Sequence, residues 1–178
     1  MPFTPEEQKN PGPWRGCLSC MSGQEARVAS GVELQWPGVK ARPVSAMKRR
    51  SSQGVKRLSA EVIMPGYVFF EAPEGFRPTP PYPDGVYRIL TTVDGTWRLL
   101  GSDDAFARWL LGQDGLLNLS EAHRVGERIV IHSGPLKDLE GYILKIDRRN
   151  ENGLVQLEVD GRQIRAWLPF EITETQNH

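Results

Sequence analysis

The chain is poor in the residues that build metal and redox centres, with 2 Cys and 3 His among 178 residues. Cys17 and Cys20 form a C-x-x-C, but no second Cys or His pair lies nearby to complete a tetrahedral site. Trp14-Arg15-Gly16-Cys17-Leu18-Ser19-Cys20-Met21 reads as a strand, where an odd spacing sends the two thiols to opposite faces. They are expected to be small apolar fillers, with no metal and no cofactor. His123, His132 and His178 are scattered, and no carboxylate pair, nucleophile–base pair or phosphate-binding glycine loop emerges, so an enzyme is not expected. Long apolar runs are missing too. None comes near the roughly 20 residues that a membrane span needs. Residues 1–13 are polar and proline-rich and lack the apolar segment of a signal peptide, so a cytoplasmic protein without a membrane partner is expected.

Excess charge is also absent. Lys and Arg number 22, Asp and Glu number 22, and the formal net charge is zero, which argues against a protein that coats nucleic acid indiscriminately. The average hides a patch. Lys40, Arg42, Lys48, Arg49, Arg50, Lys56 and Arg57 follow one another with no acid between them, a local anion-binding surface on a neutral chain. With 39% hydrophobic and 25% charged residues the composition is that of a globular protein, and the length suits one ordinary domain or two small ones.

Periodicity orders what is present. After the first strand, Ser22 with Glu25 three residues on forms a capping box, and Ala26, Ala29 and Val32 recur at helical spacing until Trp36-Pro37-Gly38. Residues 40–50 and 55–71 alternate as strands around the turn Ser51-Ser52-Gln53-Gly54, so that Lys48, Arg49, Arg50, Lys56 and Arg57 crowd the tip of a hairpin able to reach phosphates. Residues 73–85 are too rich in proline for a helix or an inner strand. Val86 to Leu90 suit a short helix capped by Asp84, and Thr96 to Leu100 a strand. Ser102-Asp103-Asp104 opens a helix carrying Phe106, Trp109 and Leu110 and ending at Gly112. The order β-α-β-β-α-β-α is close to the split βαβ, ferredoxin-like arrangement, with helices covering one face of an antiparallel sheet.

Residues 113–124 read as a polar linker. Beyond it the pattern is that of strands, at 127–132, 141–147, 153–159 and 163–168, with a further short one at Glu171-Ile172. Asp160-Gly161 is a strong two-residue hairpin signal. The fold class is therefore α+β, a split βαβ domain followed by a small all-β barrel. The expected domains are a disordered tail at 1–13, a first domain at 14–112, a linker at 113–124 and a barrel at 125–174.

Two motifs carry a family resemblance. Residues 126–147, with Ser133-Gly134-Pro135-Leu136-Lys137-Asp138-Leu139-Glu140-Gly141-Tyr142 at their centre, resemble a KOW motif of the SH3-like barrels found in transcription and ribosomal proteins that handle RNA. Upstream, Met64-Pro65-Gly66-Tyr67-Val68-Phe69-Phe70 is similar to the signature of the NusG N-terminal domain. Together they resemble the NusG family over residues 14–172. Leu136 and Leu139, where housekeeping NusG has aromatics facing partner proteins, make the chain look more like the specialised LoaP-type paralogues.

That resemblance implies a transcription elongation factor, and the LoaP-like features imply an operon-specific processive antiterminator. Met64, Pro65, Gly66 and Tyr67 would dock on the clamp coiled coil of RNA polymerase, with Tyr67 half-exposed and Val68 and Phe70 in the core. Lys48, Arg49, Arg50, Lys56 and Arg57 would touch non-template DNA. Lys137, Lys145, Arg148 and Arg149 would meet a nascent RNA hairpin or another partner of the barrel, and a monomer is expected. The alternatives are a housekeeping NusG acting in pausing or Rho termination, and a ribosome-associated KOW protein that binds RNA.

Overall fold

The computed structural model describes residues 12–173. All of the expected tail except Gly12 and Pro13 therefore lies outside the described residues, as does His178. The chain forms two units. One holds residues 12–44 and 64–115, the other residues 45–63 and 116–173.

The first unit is built on a sheet of β1 (Trp14–Cys20), β2 (Lys40–Pro43), β5 (Tyr67–Ala72) and β6 (Val86–Ile89), in the order β2-β5-β1-β6. Every neighbouring pair is antiparallel, which is the split βαβ pairing expected. α1 (Glu25–Gln35) connects β1 to β2. No helix connects β5 to β6. The proline-rich segment between them is pinned instead by aromatic contacts, with Phe76 edge-on to Trp36 at 5.3 Å and to Trp97 at 6.0 Å. Val86 to Ile89, expected as a helix, pair with β1 as an edge strand. Residues 96–100, expected as a strand, have no regular structure, and Trp97 stacks on Phe70 at 5.5 Å.

The two helices do not share a face of the sheet. Val28, Ala29 and Val32 of α1 pack with Leu18, Cys20, Val68, Phe70 and Ala72. α2 (Gly101–Gly112) meets the opposite side, where Phe106 lies 5.7 Å from Phe69 and Asp104 pairs with Arg15. The reason lies in β5, whose Tyr67-Val68-Phe69-Phe70 is apolar without alternation, so both sides of the strand must be buried. Gly16 is required on the α1 side, because a Cβ there would stand 2.5 Å from the Phe70 ring and 2.9 Å from Trp97.

The second unit contains the hairpin of β3 (Ser45–Ser52) and β4 (Val55–Val62), with β3 also pairing in parallel to the short β7 (Leu116–Leu117). Gln53 and Gly54 both have positive φ, 50° and 78°, the signature of a tight turn whose twist matches the strands. The rest is a five-stranded sheet of β8 (Ser120–Val125), β9 (Arg128–Ser133), β10 (Ile143–Asp147), β11 (Asn152–Val159) and β12 (Arg162–Ile172), ordered β10-β11-β12-β8-β9. Asp160-Gly161 makes the β11–β12 hairpin as expected.

Several boundaries differ from the sequence reading. The strand expected over 55–71 is divided at Pro65-Gly66 into β4 and β5, which join different sheets, and the segment 40–50 is divided likewise into β2 and β3. Residues 113–124 are not a free connector, since they hold β7 and most of β8, and the basic hairpin belongs to the second unit. The strand expected at Glu171-Ile172 is the end of a continuous β12, which pairs there with β8 in parallel. The polar sequence of β8 concealed it, because only Ser120 and Ala122 along this strand are buried.

On the α2 side of the first sheet, Arg15 is 6% exposed and bonds two carboxylates, Glu71 at 3.0 Å and Asp104 at 3.1 Å. Arg15→Ala removes charge-assisted hydrogen bonds to two partly buried acids, worth about 1.5–3 kcal/mol each, and is expected to destabilise the chain on that order. Urea unfolding of the full chain, read as a fall in midpoint at unchanged slope, checks this.

Candidate functional site

The sequence of the Met64–Phe70 segment dictates a sharp turn, since Pro65 cannot continue a ladder and Gly66 adopts φ +87°. A Cβ on Gly66 would also lie 3.2 Å from the Cys20 carbonyl oxygen. The turn is braced from outside the segment. The carboxylate of Glu25, at the start of α1 and 3% exposed, accepts the N–H of Gly66 at 2.8 Å and that of Gly23 at 3.0 Å. The Cys20 N–H donates to the Gly66 carbonyl at 2.8 Å. Glu25 thus ties the first turn of α1, the end of β1 and the entry to β5 together.

Of the four residues expected to face polymerase, only Pro65 is exposed. Met64 and Gly66 are buried, and Tyr67, expected to be half-exposed, is 5% exposed, inside the chain with Val68 and Phe70. Met21, 54% exposed, is an apolar side chain on the loop whose Gly23 shares the Glu25 carboxylate with Gly66. Sequence reasoning missed Met21. It did single out Glu25, but as a helix cap, whereas no side chain caps α1.

Cys17 and Cys20 are buried and in no disulfide. Burial first, and then the negative charge of Glu25, push the Cys20 thiol up to about 11.

The basic hairpin is less basic than its sequence. Arg50 forms a two-pronged pair with Glu61 across the strands, 2.6 Å at each prong, and the pairing raises the arginine and lowers the glutamate from their ordinary ranges. Arg49 donates to the carbonyls of Phe170 at 2.6 Å and Glu151 at 3.0 Å. It also approaches the Glu151 carboxylate at 3.5 Å. Lys48 donates to the Trp167 carbonyl, and burial holds its ammonium below the usual range. Lys56 and Arg57 are exposed on β4 and form no ion pair among the described residues. Their strand is exposed along most of its length and lies at the edge of its sheet. Upstream, Lys40 pairs with Asp114 at 2.7 Å and Arg42 with Glu33, so the acid-free run is neutralised from other parts of the chain.

No protein-family model matches the chain, and no curated protein matches it. A solved structure described as "Domain interaction in Thermotoga maritima NusG" is similar to it, with 21% identity over 88% of this chain and 93% of that one and a TM-score of 0.46. A likeness at that level transfers no function.

In the five-stranded sheet, the Gly134-Pro135 segment is not an open loop. It opens a short helix, α3 (Pro135–Asp138), and Leu136 and Leu139 are wholly buried. The Leu136 N–H is held by the Ser120 hydroxyl at 2.9 Å. A partner therefore finds neither leucine at the surface of this chain. Lys137 pairs with Glu140 at 2.9 Å, while Lys145, Arg148 and Arg149 are exposed. The structure groups Arg148 and Arg149 at the tight turn after β10, where Asp147 accepts the amides of Arg149 and Asn150, and places Lys137 at α3 on a different segment.

Two substitutions test the braced turn. Gly66→Ala is expected to destabilise the chain by about 1–3 kcal/mol, through its positive φ and the close Cys20 carbonyl. Glu25→Gln weakens hydrogen bonds to a charged acceptor, worth about 1.5–3 kcal/mol each, and lowers the thermal midpoint. It also removes the charge that helps raise Cys20. In a Cys17→Ala background, the pH midpoint of Cys20 thiolate absorbance should then fall.

Proposed function

We propose that this chain is a NusG-like transcription elongation factor that binds RNA polymerase through the surface around Pro65 and acts as an operon-specific antiterminator. The observation that carries the reading is the union, in one chain, of a split βαβ unit bearing the braced Pro65-Gly66 turn with a five-stranded unit bearing the KOW-like segment. Met21 and Pro65 supply the exposed apolar contact. Met64 and Tyr67 shape it from beneath, since both are buried.

Preferential binding to one state of the polymerase shifts a population and needs no chemistry, in keeping with a non-enzymatic role. Lys56 and Arg57 would contact the backbone of non-template DNA, with Arg50 available once Glu61 is displaced. Lys145, Arg148 and Arg149 would contact a nascent RNA hairpin. The burial of Leu136 and Leu139 favours the specialised role over a housekeeping one, because the partner-facing side chains of that segment are turned inward. The protein would work in the cytoplasm as a monomer.

Purified polymerase and several terminator templates provide the test. The full chain should bind polymerase and raise read-through on a subset of templates, and Pro65→Glu should abolish both. Uniform read-through on every template would count against operon specificity. Failure to bind polymerase at all would support the ribosome-associated alternative.

The hairpin has its own signature. Lys56→Ala and Arg57→Ala should each reduce the salt dependence of DNA affinity by about one counterion, and Glu61→Gln should raise affinity by freeing Arg50. Filter binding across a salt series measures both effects.

A further inference from the structure

The outward side of β10, β11 and β12 carries a feature of which the proposed function uses only Lys145. Cross-strand register sets Lys145 opposite Leu154 and Leu154 opposite Trp167, so the three form a row across the sheet. The next pair on the same face is Gln156 and Arg165, with the arginine Nε donating to the glutamine oxygen at 2.9 Å. That hydrogen bond leaves the other edge of the guanidinium uncommitted to Gln156. The intervening Val155, Leu157, Ala166 and Leu168 are buried, so alternation sends Leu154, Gln156, Arg165 and Trp167 to the outer face.

Trp167 is 37% exposed, a large indole in an otherwise polar surface. Cations flank it on its own sheet, and the Lys48 ammonium sits on its carbonyl. Asp147, at the end of β10, is engaged by the amides of Arg149 and Asn150 at 3.0 Å each and by the Asn150 side chain at 2.8 Å. Glu158, opposite Gln163, stands at the far end.

An apolar centre of two side chains ringed by cations suits one class of occupant. A protein partner would need a broader apolar core with fewer charges. A single nucleotide base matches the area of an indole face, and its flanking phosphates match the cations on either side. We infer that the Lys145–Leu154–Trp167 row with Arg165 is a stacking platform for single-stranded nucleic acid, one base lying on Trp167 and the adjoining phosphates held by Lys145 and Arg165. The platform shares Lys145 with the RNA contact proposed above and does not depend on polymerase binding.

Fluorescence anisotropy with labelled ten-nucleotide oligo(U) RNA and oligo(T) DNA tests it on the full chain. Trp167→Ala should weaken binding about tenfold or more, while Trp167→Phe, which keeps a ring, stays within about threefold of the parent. Lys145→Ala and Arg165→Ala should each weaken binding several-fold and lower the salt slope by about one. Equal affinity for the two oligomers supports recognition by base and phosphate alone, and preference for the RNA supports the same platform with an added ribose contact. Absence of binding to either oligomer overturns the inference, as does a Trp167→Ala variant that binds like the parent. Should Trp167→Ala fail to fold, unchanged affinity in the surface double variant Lys145→Ala/Arg165→Ala overturns it equally. Polymerase binding measured on the same variants should be unchanged, which separates this site from the proposed elongation role.

Discussion

The buried carboxylate of Glu25 is the constraint on which the first unit turns. Two backbone amides from separate segments, Gly23 and Gly66, converge on it, and neither has an intrahelical or ladder partner that could replace it. A polar group so far from water is tolerated because its oxygens are hydrogen-bonded, and it fixes three elements in doing so. The strand that follows, β5, then enters the sheet in a register that puts Val68 and Phe70 under α1 and Phe69 under α2. The same brace leaves Pro65 outside and Tyr67 inside. The geometry of the candidate contact surface thus depends on a residue that does not belong to it.

Electrostatics in the second unit work by diversion. Arg49, Lys48 and Arg50 could each meet phosphate, yet each is directed to an acceptor of the protein itself: the carbonyls of Phe170 and Trp167, and the carboxylate of Glu61. Carbonyls leave a cation's charge uncancelled, whereas a two-pronged carboxylate neutralises it, so Arg50 is the cation most nearly removed from the surface. What stays available is narrower than the sequence suggests, Lys56 and Arg57 on an exposed edge strand. The burial of Leu136 and Leu139 follows a similar logic, for the short helix after Gly134 turns both into the core, where the Ser120 hydroxyl holds its first turn.

Much of the fold was legible because its signals are local. The β1 strand, α1, α2, the Gln53-Gly54 and Asp160-Gly161 turns and the strand-rich C-terminal region all follow from residues adjacent in the chain, whereas β5 reads as one strand with β4 and only sheet pairing separates them. The opening β-α-β of the split βαβ order was legible with them, but the helix and strand expected after it were not. The failures have distinct causes. Val86 to Ile89 were too short for periodicity to separate strand from helix, and only pairing with β1 decided. Ser120 to Val125 were too polar to resemble a strand, and β12 and β9 recruited them. The helices' opposite faces were foreshadowed in the unbroken apolar run of β5, a pattern that a one-faced sheet does not need.

The sequence by itself determined most of the element types, the tight turns and the pairing of a KOW-like segment with an upstream Pro-Gly-Tyr-Val strand. Only the tertiary structure decided which charges are spent and which side chains are outside. Arg49 finds its acceptor 121 residues away, and Arg15 its second carboxylate 89 residues away. No local pattern encodes such a pairing, because burial and charge neutralisation depend on segments that become neighbours only when the sheets close.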